Sequence, residues 1–196
     1  MLRKFIFPAL RMLVVLTILT GLLYPGLVTL AATPLFPTQA AGSLIDDNGV
    51  IVGSTLVGQA NQDARYFWPR PSAVNYMDGS HAGNLGASGA TNAAPTSRTL
   101  AATVAARADA FRMANHLAAD TPVPADMLFA SGSGLDPHIS PAAAQLQVAR
   151  VAAARHLEPA VVAALVTAHT EPPQWGFMGM PRVNVLLLNL ALDQVK

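Results

Sequence analysis

The residues with chemical potential lie in a few short stretches. Ser131-Gly132-Ser133-Gly134 runs into Asp136 and His138. A Gly-Ser run of this kind can form a nest of backbone N–H groups for an anion such as a nucleotide phosphate. It serves equally as a tight turn, the commoner use of short Gly-Ser runs and the reading preferred here. A serine hydrolase would need Gly-x-Ser-x-Gly at its nucleophile elbow. Ser133 is flanked at those positions by Ser131 and Leu135, and Ser131 by Phe129 and Ser133, so the elbow is missing. A Walker A loop needs a lysine after its glycines. The only lysines are Lys4 and Lys196, which also leaves no candidate for a Schiff base. The five histidines (81, 116, 138, 156 and 169) form no His-x-x-x-His pair and have no carboxylate cluster beside them. Solvated or helix-capping roles suit them better than metal ligation. His169 in particular falls near a helix end, where the dipole favours it.

These residues depend on a chain of two distinct compositions. Of 196 residues, 52% are hydrophobic and 12% charged, and the apolar excess is concentrated near the start. Met12 to Ala32 carries no charge. It is long enough to cross ~30 Å of hydrocarbon at ~1.5 Å per residue. Arg3, Lys4 and Arg11 precede it, whereas the first charges beyond it are Asp46 and Asp47. The positive-inside rule therefore places residues 1–11 in the cytoplasm and residues 33–196 outside, as one domain with its own core. After Ala32, nine basic residues face eleven acidic ones, and cysteine is absent, which excludes disulfides and thiolate metal sites. A cleaved signal peptide is the competing reading, with Thr29-Leu30-Ala31 as its cleavage site. The apolar run exceeds the ~7–15 residues usual for such a leader, so an uncleaved anchor is expected. Within the span, Tyr24-Pro25-Gly26 and Gly21 predict a kink and a small-residue surface for packing against other membrane helices.

The outer part reads as a small α+β domain. Asp47-Asn48-Gly49 between two β-favouring runs predicts a hairpin over 44–59. Arg65-Tyr66-Phe67-Trp68-Pro69-Arg70-Pro71 predicts an ordered irregular segment, and Met77 to Pro95 a long loop. Leu100, Val104, Ala108 and Phe111 mark the buried face of a helix over 99–117, ended by Pro122-Val123-Pro124, with Arg107, Asp109 and Arg112 toward water. Ser140-Pro141 predicts an N-cap followed by proline at the first helical position. Glu158-Pro159 starts a second helix to about His169, and Arg182 to Asp193 begins as a strand. Arg150, Arg155 and Glu158 give this helical pair a weak footprint for nucleic acid, and no nucleic-acid partner is expected.

Several ordered blocks resemble one family over nearly the whole chain. They are Leu19-Thr20-Gly21 with Tyr24-Pro25; Phe36-Pro37-x-Gln39-Ala40-x-Gly42-Ser43-Leu44-Ile45; and Gly53-Ser54-x-Leu56-Val57-Gly58-Gln59. Tyr66-Phe67-x-Pro69-Arg70-Pro71-Ser72-Ala73 follows, then Ala130 to Pro141, Arg182-Val183-Asn184-Val185, and Leu188 to Asp193. The chain resembles the C subunit of the Kdp high-affinity potassium-transporting ATPase of bacteria. Departures lie in the loop from His81 to Asn92 and at Ala149, where the family often has proline. The resemblance implies an accessory, non-catalytic subunit of a pump in the bacterial inner membrane. Its implied partners are a channel-like potassium-binding subunit, a P-type ATPase subunit that carries the phosphorylated aspartate, and a small membrane peptide. The chain lacks the Asp-Lys-Thr-Gly phosphorylation motif.

The family is described as a catalytic chaperone that raises the ATPase subunit's affinity for ATP, and Gln147 matches the glutamine proposed to contact nucleotide. A helix residue bonded to nearby backbone is the preferred reading of Gln147. ATP is cytoplasmic and the charge pattern places the domain outside. ATP is therefore expected to act through the partner ATPase, with no cofactor held directly. The alternative is an independent anchored periplasmic binding domain or hydrolase.

Overall fold

A computed structural model describes residues 2–47, 49–74 and 88–195. The chain divides into two units, Met1–Val52 and Gly53–Lys196.

The first unit is dominated by one helical rod. Helix α1 (Leu2–Ile18) passes through a π-helical turn (Leu19–Leu23) into α2 (Tyr24–Leu35). Arg3–Leu35 has a mean hydropathy of 2.2 over its most apolar window, and none of that window is buried by the protein. At ~1.5 Å per residue this rod is about 50 Å long. It thus extends beyond the expected Met12–Ala32 span at both ends. The irregularity falls where the sequence predicts a kink, and the cause is Pro25. A proline ring clashes with the carbonyl four residues back and offers no N–H to it. The chain widens by one residue ahead of the proline, and the Tyr24 N–H reaches back to the Leu19 carbonyl. A short helix α3 (Pro37–Ala40) follows, then strand β1 (Leu44–Asp47), which pairs with β2 (Val50–Ser54). Gly49, at φ +85°, donates its N–H to Asp46 Oδ1 at 2.8 Å, as the predicted Asp-Asn-Gly turn requires. Asn48 itself lies outside the described residues.

The second unit is mixed. Helix α4 (Arg98–Ala114) is capped by Ser97. A 3₁₀ turn (Ala125–Met127) leads to β3 (His138–Ile139), α5 (Pro141–Arg155), α6 (Pro159–Ala168), β4 (Thr170–Glu171), β5 (Arg182–Asn184) and α7 (Val185–Asp193). The sheet order is β3-β5-β4, antiparallel throughout, with Ile139 and Thr170 both opposite Val183. Phe67, Ile139, Val151, Val162, Val183, Leu188 and Leu192 are fully or almost fully buried at the centre. The Ser140 hydroxyl accepts from Ala143 N at 3.1 Å, with Pro141 behind it, as expected of an N-cap.

Three local expectations change. Helix α4 ends at Ala114 rather than running to Leu117, because His116 turns left-handed (φ 54°) well before the prolines. Arg107 and Arg112 are half-buried rather than solvated, and they donate to the carbonyls of Leu128 and Thr121 at 2.8 and 2.9 Å. Of the predicted apolar stripe, Ala108 and Phe111 are buried while Leu100 and Val104 are only half-covered. In the expected long loop, residues 77–87 lie outside those described, including His81, and Ser88 to Ala94 is irregular.

Candidate functional site

The aromatic, proline-rich segment from Asp63 to Ser72 has almost no backbone partner of its own, so side chains from two helices supply the pairing. Asn189 on α7 accepts from Phe67 N at 2.8 Å and donates to Phe67 O at 3.0 Å. Gln147 on α5 repeats the pattern one residue later, accepting from Trp68 N at 2.7 Å and donating to Trp68 O at 3.4 Å. Two carboxamides thus stand in for a neighbouring strand, which satisfies buried backbone groups that would otherwise be costly.

Arg150 completes the clamp from one turn further along α5. Its guanidinium donates to the carbonyls of Asp63, Ala64 and Tyr66, to Asn115 Oδ1 at 2.9 Å and to Gln147 Oε1 at 2.7 Å. It also lies 4.5 Å from the centre of the Trp68 ring, in cation–π range. Burial pushes its pKa down to about 10, partly opposed by Asp63, so it stays protonated at neutral pH. Arg155 acts likewise at the edge, bonding Arg65 O at 2.7 Å and Asp193 at 2.6 Å beneath the Tyr66 ring. Neither arginine is available as a phosphate-binding footprint.

Gln147 is fully buried, and its donation to Ala143 O at 3.3 Å occupies the last of its polar capacity. Its surroundings are those of a strut between α5 and the aromatic segment.

The Ser131–Gly134 run forms a turn, with Gly134 N bonded to Ser131 O at 3.3 Å and Gly134 at φ +71°. Leu135 N is taken by Ser133 Oγ at 3.1 Å. The carbonyls of this turn receive remote donors. Ser133 O accepts from Gly89 N and the Ser88 hydroxyl, Gly134 O from the Ser72 hydroxyl, and Leu135 O from Gly58 N. A side chain on Gly134 would meet Gly89 O and Val74 at 2.6 Å. The run is therefore a seat for three other loops. The Ser131 hydroxyl is buried and has no hydrogen-bond partner among the described residues.

Asp136 pairs with Arg70 at 2.6 Å and with His138 Nδ1 at 3.3 Å. Burial would raise its pKa, but hydrogen bonds from His138 and Arg70 outweigh that and hold it at about 2. Among the described residues neither Ser131 nor Ser133 bonds to the His138 ring, so these four residues form no hydrolytic relay.

Beside the clamp lies an open cleft of about 640 Å³, walled by Trp68, Arg70, Ser72, Arg107, Phe111 and Met127. Gln147 and Ser131–Gly134 are not among its lining residues, so the sequence-expected positions and the cleft are separate. The clamp was not anticipated from the sequence beyond Gln147. The available signal was the spacing of Gln147, Arg150 and Val151 with Ala143 and Ala144, which puts two polar residues on the buried side of α5.

Residues 6–194 match the family described as KdpC: K+-transporting ATPase, c chain. The chain belongs to the KdpC family. It is 53% identical over 189 residues to the potassium-transporting ATPase KdpC subunit of Methylococcus capsulatus, covering 96% of this chain and 97% of that one. The KdpC subunit of Sorangium cellulosum is 55% identical over 95% of both chains, and that of Synechocystis sp. 49% identical over 98% and 99%. Likeness to KdpC thus includes both the apolar rod and the clamp, and the sequence resemblance to that family stands.

Proposed function

We propose that the chain is an accessory subunit of an ATP-driven potassium importer in the bacterial inner membrane. The observation that carries this reading is the end-to-end match to the KdpC family, which spans the apolar helix and the domain alike. The chain crosses the membrane once, with its N-terminus in the cytoplasm and its domain outside, as the charges flanking the span favour. The widened turn ahead of Pro25 gives the span a shaped surface for packing against companion helices. The companions are a potassium-binding channel-like subunit, a P-type ATPase subunit and a small membrane peptide.

Outside the membrane, the domain braces the outer mouth of the potassium-conducting subunit and supports assembly. Any increase in the ATPase subunit's affinity for ATP is an indirect coupling between distant sites rather than a contact through Gln147. The internal bonding of Gln147 supports that view, because a direct contact would first have to break it.

Purification in mild detergent from cells that also express the other subunits tests the first claim. Recovery of the chain alone would sink it. Labelling of a Ser133→Cys variant, at an exposed position, tests the topology. Reaction only with reagent supplied from the cytoplasmic side would overturn the outside placement.

A further inference from the structure

The open cleft beside the clamp is lined by two cations, Arg70 and Arg107, and among the described residues by no Asp or Glu. The two arginines differ in what they have left to offer. Arg70 faces Asp136 at 2.6 Å, so its charge is balanced within the protein. Arg107, on α4, makes one hydrogen bond, from Nη1 to the Leu128 carbonyl at 2.8 Å, and among the described residues it has no ion pair. A carbonyl accepts a donor without neutralising its charge. The other edge of the guanidinium, Nε and Nη2, is left to solvent. The two parallel N–H groups on that edge match the two oxygens of a carboxylate.

The fold holds this edge in place. Arg107 is half-buried and stands one turn ahead of Phe111, which α4 packs into the core. Side chains four apart share a helix face. The bond to Leu128 O fixes the far end of the side chain, so little further freedom is lost when an anion arrives.

The remaining wall is largely apolar. Phe111 and Met127 are almost fully buried by the protein and give the cleft a fixed apolar face, and Trp68, Pro69 and Pro71 continue it. The volume of about 640 Å³ falls within the ~300–1,000 Å³ usual for small-molecule sites. One uncompensated charge beside apolar walls suits a ligand with one negative charge and an apolar body. A phosphate or nucleotide brings more charge than Arg107 balances. An uncharged apolar molecule would cover the guanidinium without pairing it, which is costly.

We propose that this cleft binds an apolar organic acid as its carboxylate anion. Arg107 holds the carboxylate through Nε and Nη2, and Phe111, Met127 and Trp68 pack on the apolar body. The proposal stands on the cleft alone and does not depend on the subunit reading.

The test titrates the purified full chain in detergent with phenylpropionate, followed by calorimetry against a detergent blank. Acetate, phenylpropanol and inorganic phosphate are the comparisons. The expected result is saturable binding of phenylpropionate at one site with a Kd of about 1 mM or tighter, and binding about tenfold weaker or less for each of the other three. Arg107→Gln should weaken phenylpropionate about tenfold or more, the share of a charge-assisted bidentate pair, and leave phenylpropanol unchanged. Ala110→Phe adds bulk to the cleft wall at an exposed position on α4 and keeps the Arg107 charge. It should weaken phenylpropionate and phenylpropanol alike. Circular dichroism verifies that each variant is folded, and Ala110→Phe with the ligand comparisons decides the matter if Arg107→Gln is not. No saturation by about 10 mM phenylpropionate would overturn the site. So would phenylpropanol or acetate binding as well as phenylpropionate, phosphate binding more tightly, or an affinity unchanged in the folded variants.

Discussion

Replacing Gln147 by alanine separates a strut from a ligand. Its Oε1 receives Trp68 N and Arg150 Nη2, both at 2.7 Å, in a fully buried position. Alanine leaves both donors without a partner. An orphaned buried N–H costs ~1–3 kcal/mol, and the charged guanidinium donor belongs at the upper end of that range or above it. The donations from Nε2, at 3.3 and 3.4 Å, are at the long limit of hydrogen bonding and add little. The total is ~3–5 kcal/mol, a large share of the ~5–15 kcal/mol typical of a folded domain. At ~2–4 °C per kcal/mol for a domain of this size, the unfolding midpoint falls by about 6–20 °C.

Gln147→Glu keeps the acceptor for both donors and gives Arg150 a formal counter-charge, but its second oxygen, in place of Nε2, then faces the carbonyls of Trp68 and Ala143. These buried acceptor–acceptor contacts set its cost at ~2–3 kcal/mol, below that of alanine. The expected order is therefore Ala lowest, Glu between, and the unsubstituted chain highest. Thermal unfolding of the full chain in detergent, followed by circular dichroism and by tryptophan fluorescence, reads this directly, because Trp68 stacks on Arg150. A loose ligand side chain would give the opposite order. Alanine would then be mild, and glutamate would be the damaging change wherever nucleotide phosphate is bound. A Gln147→Ala midpoint within about 3 °C of the unsubstituted protein would refute the strut.

Acid provides a second perturbation. Asp136 is held at about 2 against its ordinary 3.8. A depressed carboxylate contributes its stability above the unfolded value, so ~2 kcal/mol is present above pH 4 and is lost as pH falls from about 4 to about 2. Asp136→Asn should lower stability at pH 7 and flatten the decline over that window; an unchanged slope in denaturant titrations across those pH values would count against the Arg70–Asp136–His138 cluster. Gly134→Ala should cost about 2 kcal/mol or more, since the residue is left-handed and its new methyl would press on Gly89 O and Val74. A midpoint equal to that of the native chain would show that the three loops are not seated on this turn.

The sequence by itself determined whatever depends on neighbours along the chain. The apolar length of the span, the charges at its ends, the irregularity ahead of Pro25, the Asp46–Gly49 turn and the Ser140-Pro141 cap all follow from interactions within a few residues. Such features can be read because their partners are adjacent and their geometry has few solutions. The family blocks were legible too, but their meaning was not. The Ser131–Gly134 run looks like an anion nest or a turn. Only the fold shows that its carbonyls and that of Leu135 receive Gly58, Ser72, Ser88 and Gly89 from 44 or more residues away.

Arg150 and Arg155 read as surface charges on an Ala-rich helix. The tertiary structure turns them inward because Asp63 to Tyr66, more than eighty residues earlier, arrives with its carbonyls within their reach, those of Ala64 and Tyr66 meeting Arg150 and that of Arg65 meeting Arg155. Gln147 is the point where the two levels meet. Its place on α5 was set by local periodicity. Its role was decided by Trp68, a residue 79 positions away whose backbone it holds.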